Sequence, residues 1–345
     1  MTPRRRVLVV DDSAVLRRVL CGLLAAHPGL EVVGECGDPY EARERIRELD
    51  PDVLTLDVEM PRMDGLTFLR KLMKAHPMPV VMLSSLTAAG TETALEALAI
   101  GAVDVVGKPR IGEIQDLGPA GQDIAETVYA ASFARTAARP LPAVHRTPVP
   151  APRNPGRSLI AIGASTGGTE ALRELFEALP ADLPPIAVVQ HILPGFIEAF
   201  AQRLDRGCAA RVKVAAHGER TEPGTIYFAP SQVHLAVAGP ATRPSLELVE
   251  GDRVSRHLPS VDVLFRSAAM VCGPQACGVI LTGMGSDGAD GLFRMAQTGA
   301  ETIGQDEATC VVYGMPKVAF QLGAVKTQLP LNAIPAHLAR WARGG

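Results

Sequence analysis

Short apolar runs that end in a polar residue, each followed by a helical pattern, recur through the first third of this chain. Such runs predict buried strands at residues 7–10, 53–57, 80–85 and 103–107, with a weaker strand at 31–34. Helical patterns lie between them at residues 14–27, 39–49, 65–76 and 91–101. Strands that alternate with helices predict a parallel sheet, because right-handed crossovers return every strand in the same direction. We therefore expect an α/β domain whose strands all end on one edge.

Five polar residues close the strands of this domain and should converge at that edge: Asp11, Asp12, Asp57, Ser84 and Lys108. Carboxylates held close together repel each other, so the cluster needs a hard cation, and Mg²⁺ with oxygen ligands is suited to it. A lysine and a hydroxyl at the same point complete an anion site. Each residue alone is more often a strand-end cap or a turn residue. Five of them at the strand ends favour an aspartate that accepts a phosphoryl group.

Residues 5–128 resemble a response-regulator receiver domain, which implies a flavodoxin-like (βα)5 fold. The resemblance rests on the acidic pair Asp11-Asp12, on Asp57 with the following Met60-Pro61-Arg62-Met63-Asp64-Gly65, on Ser84 and on Lys108-Pro109. It implies that Asp57 accepts a phosphoryl group from a histidine kinase, supported by Ser84 and Lys108. The implied Mg²⁺ ligands are Asp12, Asp57, the backbone carbonyl of Glu59, and Asp11 through water.

Val105 departs from the receiver pattern, since many receivers carry an aromatic residue at this position. We therefore expect output to rely on backbone shifts of the Ser84 and Lys108 loops.

Proline and alanine dominate residues 129–156, which also carry four arginines and no acidic residue. Such a composition predicts an extended, semi-rigid linker. A solvated tether is favoured over a basic contact segment.

A glycine-rich turn opens the second half of the chain. The apolar run from Leu159 ends in small residues around Ser165, and a helical pattern begins near Glu170. A strand–turn–helix of this kind presents a side chain beside the free amides of a helix N-terminus. That placement suits a nucleophile with oxyanion donors beside it. On this stretch alone, a phosphate-binding or merely structural glycine turn is an equal alternative.

The second half as a whole has the pattern of another α/β unit. Predicted strands are 159–163, 186–190, 225–229, 234–238 and 278–282, and predicted helices are 169–179, 194–206, 260–272, 288–297 and 316–322. Residues 157–345 contain 16 basic and 17 acidic side chains, so the net charge of this half is −1. A DNA-binding output domain is disfavoured, because such domains carry a basic face.

A nucleophilic serine needs a base and a group that orients the base. His191 follows a predicted strand, and Asp287 lies in a second glycine turn after another strand. His217, in a polar turn, and His234, at the start of a strand, are weaker rivals for the base. His257, in a loop before a helix, is the strongest rival. Position alone gives His191 only a modest lead.

Residues 157–342 resemble the catalytic domain of the chemotaxis protein-glutamate methylesterase / protein-glutamine glutaminase family, which implies a doubly wound α/β fold. The matching stretches are 162–168, 189–191, 283–288, 305–307 and 311–317. The resemblance implies that Ser165, His191 and Asp287 are the catalytic residues, with Thr166 and Met284 supporting the oxyanion. Leu258 departs from the family, which often has arginine there, so substrate contacts at this point should differ.

Together the two resemblances imply a phosphorylation-activated serine hydrolase for chemotactic adaptation. It removes methyl groups from glutamate methyl esters of chemoreceptors and also deamidates receptor glutamines. The expected partners are methyl-accepting receptors and a chemotaxis histidine kinase, with no nucleic acid. A hydrolase domain that lacks activity and serves only as a binding module is an alternative, but the intact serine, histidine and aspartate disfavour it.

The six cysteines are scattered and form no C-x-x-C pair, which disfavours a zinc site or a disulfide scaffold and favours a reducing cytoplasm. No apolar run approaches the ~20 residues of a membrane span, so we expect no membrane insertion. Mg²⁺ in the receiver is the one expected cofactor, and none is expected for hydrolysis.

Overall fold

The computed structural model of the chain describes residues 3–84, 88–109, 118–134 and 156–344. Described residues up to 134 form one compact unit, and those from 156 onward form another. Most of the predicted linker, residues 135–155, lies outside the described residues. No helix in the described ranges is both long and apolar enough to cross a membrane.

The first unit is a five-stranded parallel sheet with alternating helices, as predicted. Its strands are β1 (Arg5–Val10), β2 (Leu30–Cys36), β3 (Val53–Asp57), β4 (Val80–Ser84) and β5 (Asp104–Gly107). Its helices are α1 (Ala14–Ala26), α2 (Pro39–Leu49), α3 (Gly65–Ala75), α4 (Ala88–Ile100) and α5 (Gly118–Ala131). The strand order β2-β1-β3-β4-β5 is the flavodoxin-like order. From β1 the chain adds β2 on one side and β3 to β5 on the other, so the strand order reverses between β1 and β3. The ends of these two strands therefore lie side by side.

The second unit contains a seven-stranded, all-parallel sheet in the order β15-β14-β13-β6-β7-β10-β8. These strands are β6 (Leu159–Ala164), β7 (Ile186–Gln190), β8 (Arg211–Val214), β10 (Thr225–Phe228), β13 (Ala276–Ile280), β14 (Glu301–Gln305) and β15 (Thr327–Leu329). The chain starts in the middle at β6, runs to one side, and then returns through β13 to the other. The order therefore reverses between β6 and β13, where open α/β sheets form their sites.

Six helices complete the second unit: α6 (Gly168–Glu177), α7 (Phe196–Asp205), α8 (Val261–Cys272), α9 (Ala289–Gln297), α10 (Met315–Gln321) and α11 (Ile334–Arg343). The apolar face of α8 packs Val261, Leu264 and Phe265 into a large buried cluster of this unit. Helices α6 to α10 lie where the sequence predicts them, within a few residues at each end.

The strand predicted at 234–238 forms, but it lies outside the main sheet. It is β11 (His234–Ala238), which pairs antiparallel with β12 (Ser245–Val249), and β12 in turn pairs with β9 (Glu219–Arg220). Sequence analysis missed β8, β9, β12, β14, β15 and α11. The missed strands have two to five residues. The shortest of them, β9 and β15, have only two and three residues and carry little periodicity.

Helix α8 is capped by a residue that lies far along the chain. Ser260 occupies its N-cap position without a side-chain capping bond. The carboxylate of Asp287 instead accepts hydrogen bonds from the backbone N–H groups of Val261 (2.8 Å) and Asp262 (3.0 Å). A carboxylate at a helix N-terminus satisfies free amides and complements the helix dipole.

Gly65 is the glycine whose replacement should disturb the first unit most directly. A Cβ on Gly65 would lie 2.0 Å from the backbone oxygen of Asp57, whereas one on Gly22 in α1 would meet nothing within 4 Å. We expect Gly65→Ala to destabilise this unit by about 1–3 kcal/mol, because backbone must shift. Gly22→Ala should stabilise it by about 0.5–1 kcal/mol through helix propensity. Calorimetric unfolding of both variants tests this contrast, and equal midpoints would contradict it.

Asp287 should contribute to the stability of the second unit in a pH-dependent way. Burial raises its pKa, but hydrogen bonds from His191, Ser260 and the α8 backbone outweigh burial, so the pKa lies below its ordinary value. A lowered pKa gives stability that is present above the unfolded pKa of ~3.9 and is lost as the pH falls through the folded pKa. We expect Asp287→Ala to cost about 2–4 kcal/mol at pH 7 and less at pH 3, which lies below the unfolded pKa. Asp287→Asn, which keeps one acceptor oxygen, should cost less at pH 7.

Urea unfolding followed by the fluorescence of Trp341, the single tryptophan, reports on this unit. A cost of Asp287→Ala that stays equal at pH 3 and pH 7 would refute the ionic contribution.

Candidate active site

Three strand ends of the second unit bring the predicted catalytic residues together. Ser165 follows β6, His191 follows β7, and Asp287 lies in the turn between β13 and α9. Ala164 and Gln190 are paired in the sheet, so the next residues, Ser165 and His191, are neighbours. The amide of His191 donates to the carbonyl of Ala164 (3.0 Å). The reversal of strand order between β6 and β13 therefore assembles the site.

His191 and Asp287 form a close pair with a defined geometry. Nε2 of His191 lies 2.9 Å from Oδ2 of Asp287. A carboxylate accepts, so the proton of a neutral imidazole is on Nε2. The other ring nitrogen, Nδ1, is buried and has no hydrogen-bond partner among the described residues. Nδ1 is therefore the nitrogen that can accept a proton.

Asp287 is buried and surrounded by donors. Its side chain is 1% exposed. Oδ1 also accepts from the hydroxyl of Ser260 (2.7 Å), in addition to the α8 amides described above. These donors keep the carboxylate ionised, as its lowered pKa indicates. An ionised and fixed Asp287 orients the His191 ring and stabilises its protonated form.

Backbone amides lie next to Ser165 in the turn that follows it. Gly167 adopts φ +74°, and a Cβ there would lie 2.5 Å from Val311. Gly283 lies against Ser165, since a Cβ on it would come within 2.7 Å of the Ser165 Cβ. The backbone amides of Thr166 and Met284 donate no hydrogen bond to any described residue. Two such amides beside a serine can stabilise an oxyanion.

His257, the rival base, lies directly on His191. The two rings stack with centroids 3.7 Å apart and planes inclined by 1°. Nδ1 of His257 lies 2.7 Å from the carbonyl oxygen of Ser255 and 3.8 Å from Oδ2 of Asp287. Burial and the neighbouring His191 lower the pKa of His257 to about 4. His257 is thus a neutral ring at physiological pH that packs over the base.

Ring stacking also bears on metal binding at this site. His191, His257 and Asp287 place ligand atoms within 4.8 Å of one another. A metal ion binds imidazole near the plane of the ring, and two parallel stacked planes share no such position. The arrangement suits proton transfer better than metal coordination.

The two other histidines considered as the base, His217 and His234, make their hydrogen bonds to other residues. His217 is exposed, with Nδ1 3.2 Å from the backbone of Leu248. His234 is buried, with Nε2 2.9 Å from the carbonyl of Asp252 and Nδ1 accepting from the amide of Ser260 (3.1 Å). His234 therefore supports the loop that carries Ser260.

A second candidate site lies at the strand ends of the first unit, where the predicted acidic residues meet. Asp11, Asp12 and Asp57 place carboxylate oxygens within 4.8 Å of one another. Nζ of Lys108 lies 2.6 Å from Oδ2 of Asp57 and 3.3 Å from Oδ2 of Asp11. Burial, together with Asp11, raises the pKa of Asp57 to about 6 against the opposing effect of Lys108. The cluster thus holds more negative charge than Lys108 neutralises.

The chemistry of these donors fits Mg²⁺, which prefers oxygen ligands. Oδ2 of Asp11 is buried, and its contact among the described residues is the ion pair with Lys108. The amide of Glu59 donates to Oδ1 of Asp57 (3.0 Å), so residue 59 lies beside the cluster. Ser84 is buried at the end of β4, and its carbonyl accepts from the amide of Lys108 (2.9 Å).

Several residues around the two sites were not assigned a role from the sequence. Arg17 donates from Nη1 to the carbonyls of Asp11 (2.8 Å) and Asp12 (3.2 Å). Ser260 bonds Asp287, and Gln190 bonds the backbone of Ser165 and His191. Gln190 stands within a motif quoted above, and Ser260 begins a predicted helix. Neither position in the sequence indicates the bonding partner, since Ser165 and Asp287 lie 25 and 27 residues away from Gln190 and Ser260.

Comparison with known families agrees with this arrangement. The sequence model of the CheB methylesterase family matches residues 160–338, and that of the response regulator receiver domain matches residues 7–117. The second unit also resembles the crystal structure of the Thermotoga maritima CheB methylesterase catalytic domain. That likeness has 37% identity and a TM-score of 0.52, and it covers 54% of this chain and 98% of the other.

Relatives of the whole chain have the same two parts. A protein-glutamate methylesterase/protein-glutamine glutaminase of Anaeromyxobacter dehalogenans is 51% identical over 98% of this chain and 97% of its own length. One from Rhizobium johnstonii is 51% identical over 99% of this chain and 97% of its own. The chain therefore belongs to the CheB family of protein-glutamate methylesterases/protein-glutamine glutaminases, phosphorylation-activated hydrolases that act on chemoreceptors.

Proposed function

We propose that Ser165, His191 and Asp287 carry out the methylesterase reaction in this chain. The observation that carries the proposal is the 2.9 Å contact between Nε2 of His191 and Asp287. It leaves Nδ1 without a hydrogen bond to a described residue, on a residue whose strand end adjoins that of Ser165. A neutral base beside a serine, oriented by an ionised carboxylate, is the arrangement of serine hydrolases. The chain order Ser, His, Asp differs from that of α/β-hydrolases, so the geometry and not the order identifies the roles.

In the first half of the reaction, Ser165 attacks the side-chain ester carbonyl of a methylated glutamate in a receptor. Nδ1 of His191 takes the hydroxyl proton as the Ser165 Oγ–carbon bond forms. The amides of Thr166 and Met284 donate to the oxyanion, where each such donor is worth about 10²–10³ in rate. The intermediate then breaks its bond to the methoxy oxygen, which receives the proton from His191 and leaves as methanol.

In the second half, water hydrolyses the acyl-enzyme by the reverse sequence of proton transfers. His191 takes a proton from water, hydroxide adds to the acyl carbon, and the bond to Oγ of Ser165 breaks as that oxygen regains its proton. The product is a glutamate carboxylate. A glutamine side chain follows the same course, except that His191 must protonate the nitrogen that leaves as ammonia.

Regulation begins in the first unit, where Asp57 accepts a phosphoryl group from a chemotaxis histidine kinase. Asp11, Asp12, Asp57 and the carbonyl of Glu59 are the proposed Mg²⁺ ligands, and bound Mg²⁺ supplies charge that neutralises phosphoryl oxygens. Lys108 pairs with the phosphoryl group, and Ser84 donates a hydrogen bond to it. Because Val105 replaces an aromatic, the signal passes through backbone shifts of the Ser84 and Lys108 loops.

The domain limits, partners and location follow from the same reasoning. We assign residues 5–128 to the receiver, 129–156 to the linker and 157–342 to the catalytic domain. Methyl-accepting chemoreceptors are the substrates, and no DNA-binding domain is needed to account for either unit. All six cysteines are free thiols, in agreement with a cytoplasmic location.

Removal of the nucleophile tests the catalytic assignment. We expect Ser165→Ala to reduce methanol release from methylated chemoreceptors by at least ~10³-fold, because no acyl-enzyme can form. The matched control is Ser286→Ala, since Ser286 is an exposed serine in the neighbouring turn and should keep wild-type activity. Equal methanol release by Ser165→Ala and wild type would refute the assignment.

Removal of the phosphoacceptor tests the regulatory assignment. A small phosphodonor such as acetyl phosphate, with Mg²⁺, should increase methanol release by the wild type several-fold. Asp57→Asn should show no increase, because an amide cannot accept the phosphoryl group. Asp64→Asn is the matched control: it lies on the same loop, caps α3 by accepting from Thr67 (2.8 Å), and asparagine caps equally well. A response by Asp57→Asn would place phosphorylation elsewhere.

A further inference from the structure

Gln190 ends strand β7 with its side chain beneath the catalytic turn. The side chain is almost fully buried, at 4% exposure. Its Nε2 donates one hydrogen bond to the carbonyl oxygen of Ser165 (2.9 Å) and another to that of His191 (2.9 Å). One carboxamide group thus connects the backbone of the proposed nucleophile to the backbone of the proposed base.

The bond to Ser165 determines more than the position of one carbonyl. The carbonyl of Ser165 and the N–H of Thr166 belong to the same peptide unit, which is planar and trans. They point in opposite directions, so whatever fixes the carbonyl also fixes the N–H. The same carbonyl accepts a second bond from the amide of Gly168 (2.6 Å). Two donors on the carbonyl also polarise the peptide and make its N–H a stronger donor.

The oxygen atom of the same carboxamide group lowers the stability of the fold. Oε1 of Gln190 is buried with no hydrogen-bond partner among the described residues. It packs against Gly168, where a Cβ would lie 2.2 Å from it. An unpaired buried acceptor lowers stability, and an apolar side chain of the same length would avoid that loss. A residue that breaks the rule for buried polar groups beside a reaction centre indicates a functional constraint.

We infer that Gln190 is a positioning residue that aims the Thr166 amide at the oxyanion of the reaction. The inference rests on the proposed roles of Ser165 and Thr166. Gln190 touches neither the substrate nor the reacting atoms, and its effect passes through the Ser165–Thr166 peptide. Its second bond, to the carbonyl of His191, keeps the two strand ends at a fixed spacing. The imidazole ring of His191 is itself oriented by its contact with Asp287.

Gln190→Met tests the inference, because methionine has a similar length and no donor. We expect kcat for methanol release from a methylated chemoreceptor to fall about 10–100-fold, less than the loss of a whole oxyanion donor. KM should stay within about twofold, and the pH midpoint of kcat/KM should not move. An alkylboronic acid, which becomes a tetrahedral anion on a serine hydroxyl, should bind more weakly by a factor similar to the loss in kcat.

Gln275→Met is the matched control. Gln275 directly precedes the amino end of β13, at the opposite end of the strands from the site. It accepts a hydrogen bond from the hydroxyl of Ser158 (2.6 Å), so its replacement also removes a side-chain bond. Its kcat and boronate affinity should equal those of the wild type. Gly168→Ala gives a second disturbance, since its Cβ would lie 2.2 Å from Oε1 of Gln190, with a smaller overlap at the Cβ of Ala164 (2.9 Å). It should reduce kcat and boronate affinity together.

Wild-type kcat and boronate affinity in Gln190→Met would overturn the inference. So would a shifted pH midpoint with unchanged boronate affinity, because that result would assign the effect to His191. Should Gln190→Met fail to fold, Gly168→Ala decides the question by the same two measurements. Absence of methanol release by the wild type would instead refute the proposed function, so the two failures are distinguishable.

Discussion

The carboxylate of Asp287 is the point on which the geometry of the second unit depends. It accepts from two amides of α8, from the hydroxyl of Ser260 and from His191. Helix α8 packs into a large buried cluster, so one buried charge joins the fold of the unit to the orientation of the His191 ring. A lone buried carboxylate is unfavourable, and here four donors compensate it. The same bonds that stabilise the helix keep the His191 ring in one tautomer.

Close backbone approach is the second constraint, and it explains the glycines around Ser165. The strand ends of β6 and β13 meet at the reversal of strand order, and the turns that follow them lie against each other. A Cβ on Gly283 would collide with Ser165, and one on Gly168 would collide with Gln190. The absence of side chains at these points allows backbone amides to lie close to Ser165, the proposed nucleophile. The glycine pattern read from the sequence therefore reports the proximity of two turns, and not a phosphate cradle.

Sequence reasoning predicted the parts of the fold that depend on local pattern and on the direction of parallel strands. Ser165, His191 and Asp287 each follow an apolar run, and the rule that strand ends share an edge is enough to bring them together. The stacking of His257 on His191 was not predicted, because the loop before α8 is placed by tertiary contacts. The contacts of Gln190 and Ser260 were not predicted for the same reason. Strand β11 was predicted as a strand, but the sheet it joins was not, since that depends on pairing with β12, which was not predicted.

Two aspartates with nearly equal burial show how environment assigns different chemistry to one residue type. Asp57 is 0% exposed and Asp287 is 1% exposed. Around Asp57, burial and Asp11 outweigh Lys108 and raise the pKa to about 6. Around Asp287, the donors outweigh burial and lower the pKa. The negative charge around Asp57 is thus incompletely neutralised, so a bound cation would stabilise it. The oxygens of Asp287 already accept hydrogen bonds, so this carboxylate is suited to orienting a neighbouring side chain. The difference lies in the number of donors that the fold supplies. It is consistent with the proposed roles of Asp57 as phosphoacceptor and of Asp287 as the residue that orients His191.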